Sequence, residues 1–107
     1  MTTFDERKNA FEKKFAHDQE LKFRAEARRN KMLGEWAAEK LGLTGAEVED
    51  YVKAVRKADL QEKGDDDVFR KIRADFDAKG VTISDDDLRE KMQEFLANAV
   101  SQLEAGS

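Results

Sequence analysis

Apolar residues in the carboxy-terminal two thirds of the chain recur at helical spacing. Leu88, Met92, Phe95, Leu96, Ala99 and Leu103 fall at i, i+4, i+7, i+8, i+11 and i+15, the rhythm of a helix with one buried face. Val48, Tyr51, Val52 and Val55 form a second stripe, and Val68, Phe69, Ile72 and Phe76 a third. Each stripe follows a glycine break, at Gly42–Gly45, Gly64 and Gly80, and glycine is the usual residue just past a helix end. Each break is followed by a start signal. Thr44 with Glu47 has capping-box spacing. Asp65–Asp67, and Ser84 followed by Asp85–Asp87, place acceptors and negative charge where a helix leaves orphan N–H groups. The pattern predicts four helices, over 4–41, 45–62, 66–79 and 85–104.

The first of these is the odd element. At 100° per residue, Leu21, Ala25, Met32 and Trp36 lie within about 60° of one another. Phe4, Phe11 and Phe15 also cluster, but about 70° round from that stripe. Gln19 and Lys22 occupy the positions where the Phe stripe would continue. The segment up to residue 19 therefore has an aromatic face out of phase with the part that packs on the bundle. The expected division is an amphipathic leader over 1–19 and a bundle over 20–107. So poorly apolar a leader is a marginal helix in water and folds when its aromatic face meets a surface. That surface is either a partner's groove or the chain's own bundle, and the pattern leaves both open.

Composition narrows the class. Of the 107 residues, 41% are charged; there is no proline and no cysteine. Good helix formers dominate, so the expected fold class is all-α, a small four-helix bundle with a thin core and a long first helix. Charge follows the same division as hydropathy. Residues 1–31 hold nine Lys/Arg against six Asp/Glu, while the remainder holds eleven against eighteen. A mildly basic stretch over residues 1–31 precedes an acidic remainder. No apolar run approaches the ~18 residues needed to span a bilayer, and the first residues lack the apolar stretch of a signal peptide. A soluble cytoplasmic protein without direct membrane insertion is the expectation.

Catalytic chemistry has little to build on. The absence of cysteine excludes Cys–His pairs and a single histidine excludes multi-histidine metal arrangements, and single scattered glycines exclude phosphate-binding loops. No catalytic residue, metal ligand or cofactor is assigned. The Asp triplets lack the alternating oxygens and terminal Glu of a calcium loop and are read as helix starts. Lys22, Arg24, Arg28, Arg29 and Lys31 form a basic run interleaved with Glu20 and Glu26 at salt-bridge spacing. With a net charge of −4 the chain lacks the field of a nucleic-acid binder. A small anion such as a nucleotide phosphate remains a candidate ligand for that run. His17, at the junction, is a candidate hinge or pH-sensitive position.

Two stretches carry a family resemblance. Phe11–Gly42, FEKKFAHDQELKFRAEARRNKMLGEWAAEKLG, and Asp67–Phe76, DVFRKIRADF, closely resemble the zeta inhibitor subunit of alphaproteobacterial F-type ATP synthases. The resemblance implies a regulatory protein, not an enzyme, that inhibits ATP hydrolysis from the cytoplasmic side of the membrane-bound synthase. It further implies that the amino-terminal segment is mobile in the free protein and becomes helical when wedged between catalytic α and β subunits against the γ shaft. Carried onto this chain, Phe4, Phe11 and Phe15 are the apolar anchors and Arg7, Lys8, Lys13 and Lys14 the basic rim. The alternative from another class is a sensor module whose basic run binds a nucleotide weakly. A third reading is a scaffold whose leader lies on its own bundle.

Overall fold

A computed structural model describes residues 13–61 and 65–106. Within them the fold is all-helical, a four-helix bundle: α1 is Gln19–Lys40, α2 Ala46–Asp59, α3 Asp66–Lys79 and α4 Asp85–Glu104. Residues 13–17 are also helical, and Asp18 interrupts the helix with φ −141° and ψ 89°. The first helix is therefore not continuous over 4–41, as the pattern had suggested. α3 and α4 have the expected bounds, and α2 ends three residues early.

α1 lies against both α2 and α4 and runs antiparallel to each. Its Asn30 and Gly34 meet Asp59 and Val52 of α2, while its Arg28 and Trp36 meet Gln102 and Phe95 of α4. This double contact explains why the stripe expected for α1 was misplaced. Of Leu21, Ala25, Met32 and Trp36 only Ala25 is fully buried, while Leu33, Ala37 and Ala38 are at 0% exposure. A helix with neighbours on two sides buries a wide arc, and here that arc includes Arg29, Asn30 and Gly34, which hydropathy does not mark as interior. Gly34 permits the close approach of α1 to α2. A Cβ built there would lie 3.1 Å from both the Cα and a methyl of Val52.

The main core gathers Leu33, Ala37, Tyr51, Val55, Val68, Ile72, Phe76, Leu88 and Met92. Trp36 meets Phe76 edge-on at 5.6 Å between ring centroids. A smaller cluster at the other end of α4 holds Phe15, Ala25, Leu96, Ala99 and Val100, with Leu21, Met32 and Leu103 at its edge.

The helix starts were partly as expected. Ser84 Oγ accepts from the Asp87 N–H at 3.1 Å, a true cap. Thr44 forms no capping box: the N-cap is Gly45, at φ 59°, and no side chain bonds the α2 start. Asp65 stands at the α3 N-cap without a side-chain cap bond, because its carboxylate is drawn to Arg29 and Arg89, at 3.6 and 3.8 Å. Gly80 closes α3 in the left-handed conformation. Arg73 then ties α3 to the next helix, donating to the Ile83 carbonyl at 2.6 Å and pairing with Asp77 and Asp85. Among the described residues, no helix is long and apolar enough to cross a membrane.

Candidate functional site

The junction between residues 13–17 and α1 is built by three local interactions. Asp18 Oδ1 accepts the Leu21 N–H at 2.9 Å, capping α1. The Gln19 side-chain amide donates to the Phe15 carbonyl at 2.9 Å, so this carbonyl is satisfied across the break. In an uninterrupted helix the Gln19 backbone N–H would fill that role. Lys14 Nζ reaches Glu104 Oε2, 90 residues away at the end of α4, at 2.7 Å.

The break decides where Phe15 goes. In a continuous helix Phe15 would sit about 80° round from Ala25 and about 120° round from Leu21. Interrupted at Asp18, the chain re-aims Phe15 into the cluster that holds both, against Leu96, Ala99 and Val100, at 7% exposure. Phe15, expected as an apolar anchor with two possible surfaces, is thus docked on its own bundle. Lys13 and His17 are exposed on the same helical stretch as Phe15. Phe4, Arg7, Lys8 and Phe11 lie outside the described residues, as does Gly64. Asp18 and Glu104 were not singled out in the sequence, and Gln19 only as the place where the Phe stripe stops. The first of them carried a signal: an Asp just before an acidic first turn and the apolar Leu21 is a helix start.

The basic run divides into different roles. Arg29 is not available to an outside anion: it is 1% exposed, and its guanidinium pairs with Asp59 at 3.4 Å and Asp65 at 3.6 Å. Asn30 supports the same node, donating to Asp59 at 2.8 Å. Burial nevertheless pushes the Asp59 carboxyl above its ordinary range, because lost hydration and the neighbouring Asp67 and Asp65 outweigh Asn30 and Arg29. Glu26 is likewise raised, first by burial, and then by Asp59 and Asp65.

Arg24, Arg28 and Lys31 stay at the surface and line one shallow depression with Ala27, Arg56 and Leu103. Arg56, on α2, was missed because it lies 25 residues from Lys31 in sequence. Arg24 is paired with Glu20, and Arg28 donates to Gln102 at 3.3 Å. Lys22 is half-buried and does not line the depression. The Asp triplets face arginines instead of one another: Asp66 pairs with Arg89 at 2.9 Å and Asp85 with Arg73 at 3.2 Å. Among the described residues no group of three or more acidic or histidine side chains could hold a metal ion.

Comparison with known proteins bears on the whole of this arrangement. A structure solved by solution NMR is 41% identical, with a TM-score of 0.70, and the match covers 81% of this chain and 99% of that one. A search of curated proteins gives no match. The family model for ATPase inhibitor subunit zeta matches residues 1–102, nearly the full length. The chain belongs to the ATPase inhibitor subunit zeta family, whose members are regulatory proteins rather than enzymes.

Proposed function

We propose that this protein binds the catalytic head of an F-type ATP synthase and stops ATP hydrolysis by inserting residues 1–19 between α and β subunits against γ. The bundle over 20–107 would hold the protein on the outside of the head. The observation that carries this reading is the helix break at Asp18, which sets an amphipathic amino-terminal segment apart from α1 in a chain of the zeta family. An inserted segment stabilises the one rotary state that accommodates it. The next rotation in the hydrolysis direction must then expel a folded, buried helix, and the coupling between insertion and rotary state is the brake. Phe4, Phe11 and Phe15 supply the apolar contacts, with Arg7, Lys8, Lys13 and Lys14 at the rim. The test is ATP hydrolysis by an isolated alphaproteobacterial catalytic sector, titrated with the full chain and with a chain starting at Glu20. Circular dichroism would establish that both are helical. Inhibition by the full chain that disappears in the shortened one supports the reading; no inhibition by either refutes it.

A second reading has one observation in its favour: Arg24, Arg28, Lys31 and Arg56 converge on a single depression. There a nucleotide phosphate would bind and report energy state. That binding would survive removal of residues 1–19 and weaken on Arg28→Ala, whereas the inhibitory reading depends on the leader.

A further inference from the structure

We infer that the docking of Phe15 and Lys14 on α4 is an autoinhibitory latch, in which the described end of the inhibiting segment, residues 13–17, is held on the protein's own bundle until a partner displaces it. The inference rests on the inhibitory reading above.

Three features of the junction support it. Phe15 is the one described apolar anchor of the leader, and its ring is used up by the Leu96, Ala99 and Val100 surface. Lys14, a member of the proposed basic rim, is used up by Glu104. A side chain cannot be packed in its own bundle and in a partner's groove at once, so the two bindings compete. The break at Asp18 sets the two arrangements apart geometrically. A helix continuous through residue 18 rotates Phe15 about 80° away from Ala25 and about 120° away from Leu21. It therefore withdraws the ring from the pocket those residues share with α4. The bent, docked form and the straight, extended form exclude each other.

The latch is also weak enough to open. Its ion pair is exposed, with side chains at 41% and 50%, and such pairs contribute little in water. The Asp18 and Gln19 bonds have a ready substitute, since straightening the helix restores the ordinary backbone bonds at those positions. One aromatic ring is the main contribution. Opening moves that ring from one apolar surface to another when a partner supplies a groove.

A latch taxes the affinity of whatever the leader binds. If the docked form outweighs the open form about tenfold, apparent affinity falls about tenfold, and weakening the receptor side returns it. Variants must spare Phe15 and Lys14, which the partner also uses, and alter only α4. Leu103→Ser with Glu104→Lys does so at the rim of the small cluster, where Leu103 is half-buried and Glu104 exposed.

The closing experiment uses the full chain, which contains no cysteine. Replacing Asp18→Cys would disturb the cap, so the cysteines go at His17→Cys and Glu104→Cys, with His17 exposed three residues from Lys14. A cleavable bis-maleimide joins them, and reductant cuts its internal disulfide. The expected results are three. The joined chain inhibits hydrolysis at least about tenfold more weakly than the same chain after reduction. The Leu103→Ser/Glu104→Lys chain reaches half inhibition at a several-fold lower concentration than the natural chain. Its amides over 13–18 exchange faster while those of the main core stay protected. Equal inhibition by joined and cut chains overturns the latch, as does weaker inhibition by the α4 variant with exchange over 13–18 increased. If the natural chain, the cut chain and the α4 variant all fail to inhibit, the inhibitory reading itself falls and takes the latch with it.

Discussion

The two apolar clusters of this protein are built from the same residue types and differ in what holds them. In the main core Phe76, Ile72, Val68, Val55, Leu33 and Leu88 are all at 0% exposure, contributed by four helices, and Trp36 closes the group against Phe76 and Phe95. None of these residues can leave without dismantling the fold. The small cluster receives one aromatic ring from outside the four helices. That ring sits on the helical stretch before Asp18, tied down by an exposed ion pair and a single interrupted turn. The first cluster is a consequence of folding; the second, on the latch reading proposed above, is an equilibrium that a partner can bias. Equal burial of a side chain therefore does not mean an equal contribution to global stability, because a segment that can open alone limits what its contacts add.

The comparison is most directly broken at Phe76. Phe76→Ala removes a fully buried ring beside Trp36 and is expected to cost about 4 kcal/mol, read in urea unfolding from the Trp36 fluorescence. Arg29→Ala comes next, at about 2 kcal/mol, because it removes a fully buried guanidinium and leaves the partly buried Asp59 without its cation, while Asp65 keeps Arg89. A loss below about 1 kcal/mol would show that water replaces the guanidinium freely. Phe15→Ala is expected to shift the same urea transition by less than about 1 kcal/mol, although Phe15 is as buried as Leu96. Its effect appears as faster amide exchange over 13–18. A shift as large as that of Phe76→Ala would make the two clusters one cooperative unit.

The smallest effect is a pH dependence at the Arg29 node. Glu26 has its pKa raised in the folded protein, chiefly by burial. The folded state then holds its proton to higher pH than the unfolded chain does, so this group favours folding more as pH falls through the raised value. At neutral pH the ionised carboxylate costs stability, and Glu26→Gln is expected to be more stable than the natural chain. That advantage shrinks on mild acidification toward the ordinary carboxylate range and disappears once Glu26 is protonated in both states. Urea midpoints of the two chains between pH 7 and pH 4.5 would show the curves converging; parallel curves would remove Glu26 from the node's titration.

Much of the fold was legible in the chain. The stripes of α3 and α4 and the Ser84 cap are local patterns, and the structure reproduces them because each helix packs on one side or starts with a side chain that has no better partner. Where a side chain has a better partner, local reading fails. Asp65 was a plausible cap, but two arginines from α1 and α4 claim it. Arg29 stood in a basic run, yet α2 and α3 enclose it. The stripe of α1 was drawn too narrow, because no local rule says that one helix will be covered from two sides.

The sequence by itself determined that this chain is a helical bundle with a leader out of phase, since helix spacing, glycine breaks and acidic starts act over a few residues. It also carried the family, in the long run from Phe11 to Gly42. Only the tertiary structure decided which surface the described part of the leader occupies. That choice depends on Asp18 bending the chain and on the end of α4 offering Leu96, Ala99, Val100 and Glu104, residues some 80 to 90 positions away. Partners so distant in sequence leave no periodic trace near residue 15, and their match to its ring and to Lys14 exists only once the bundle has formed.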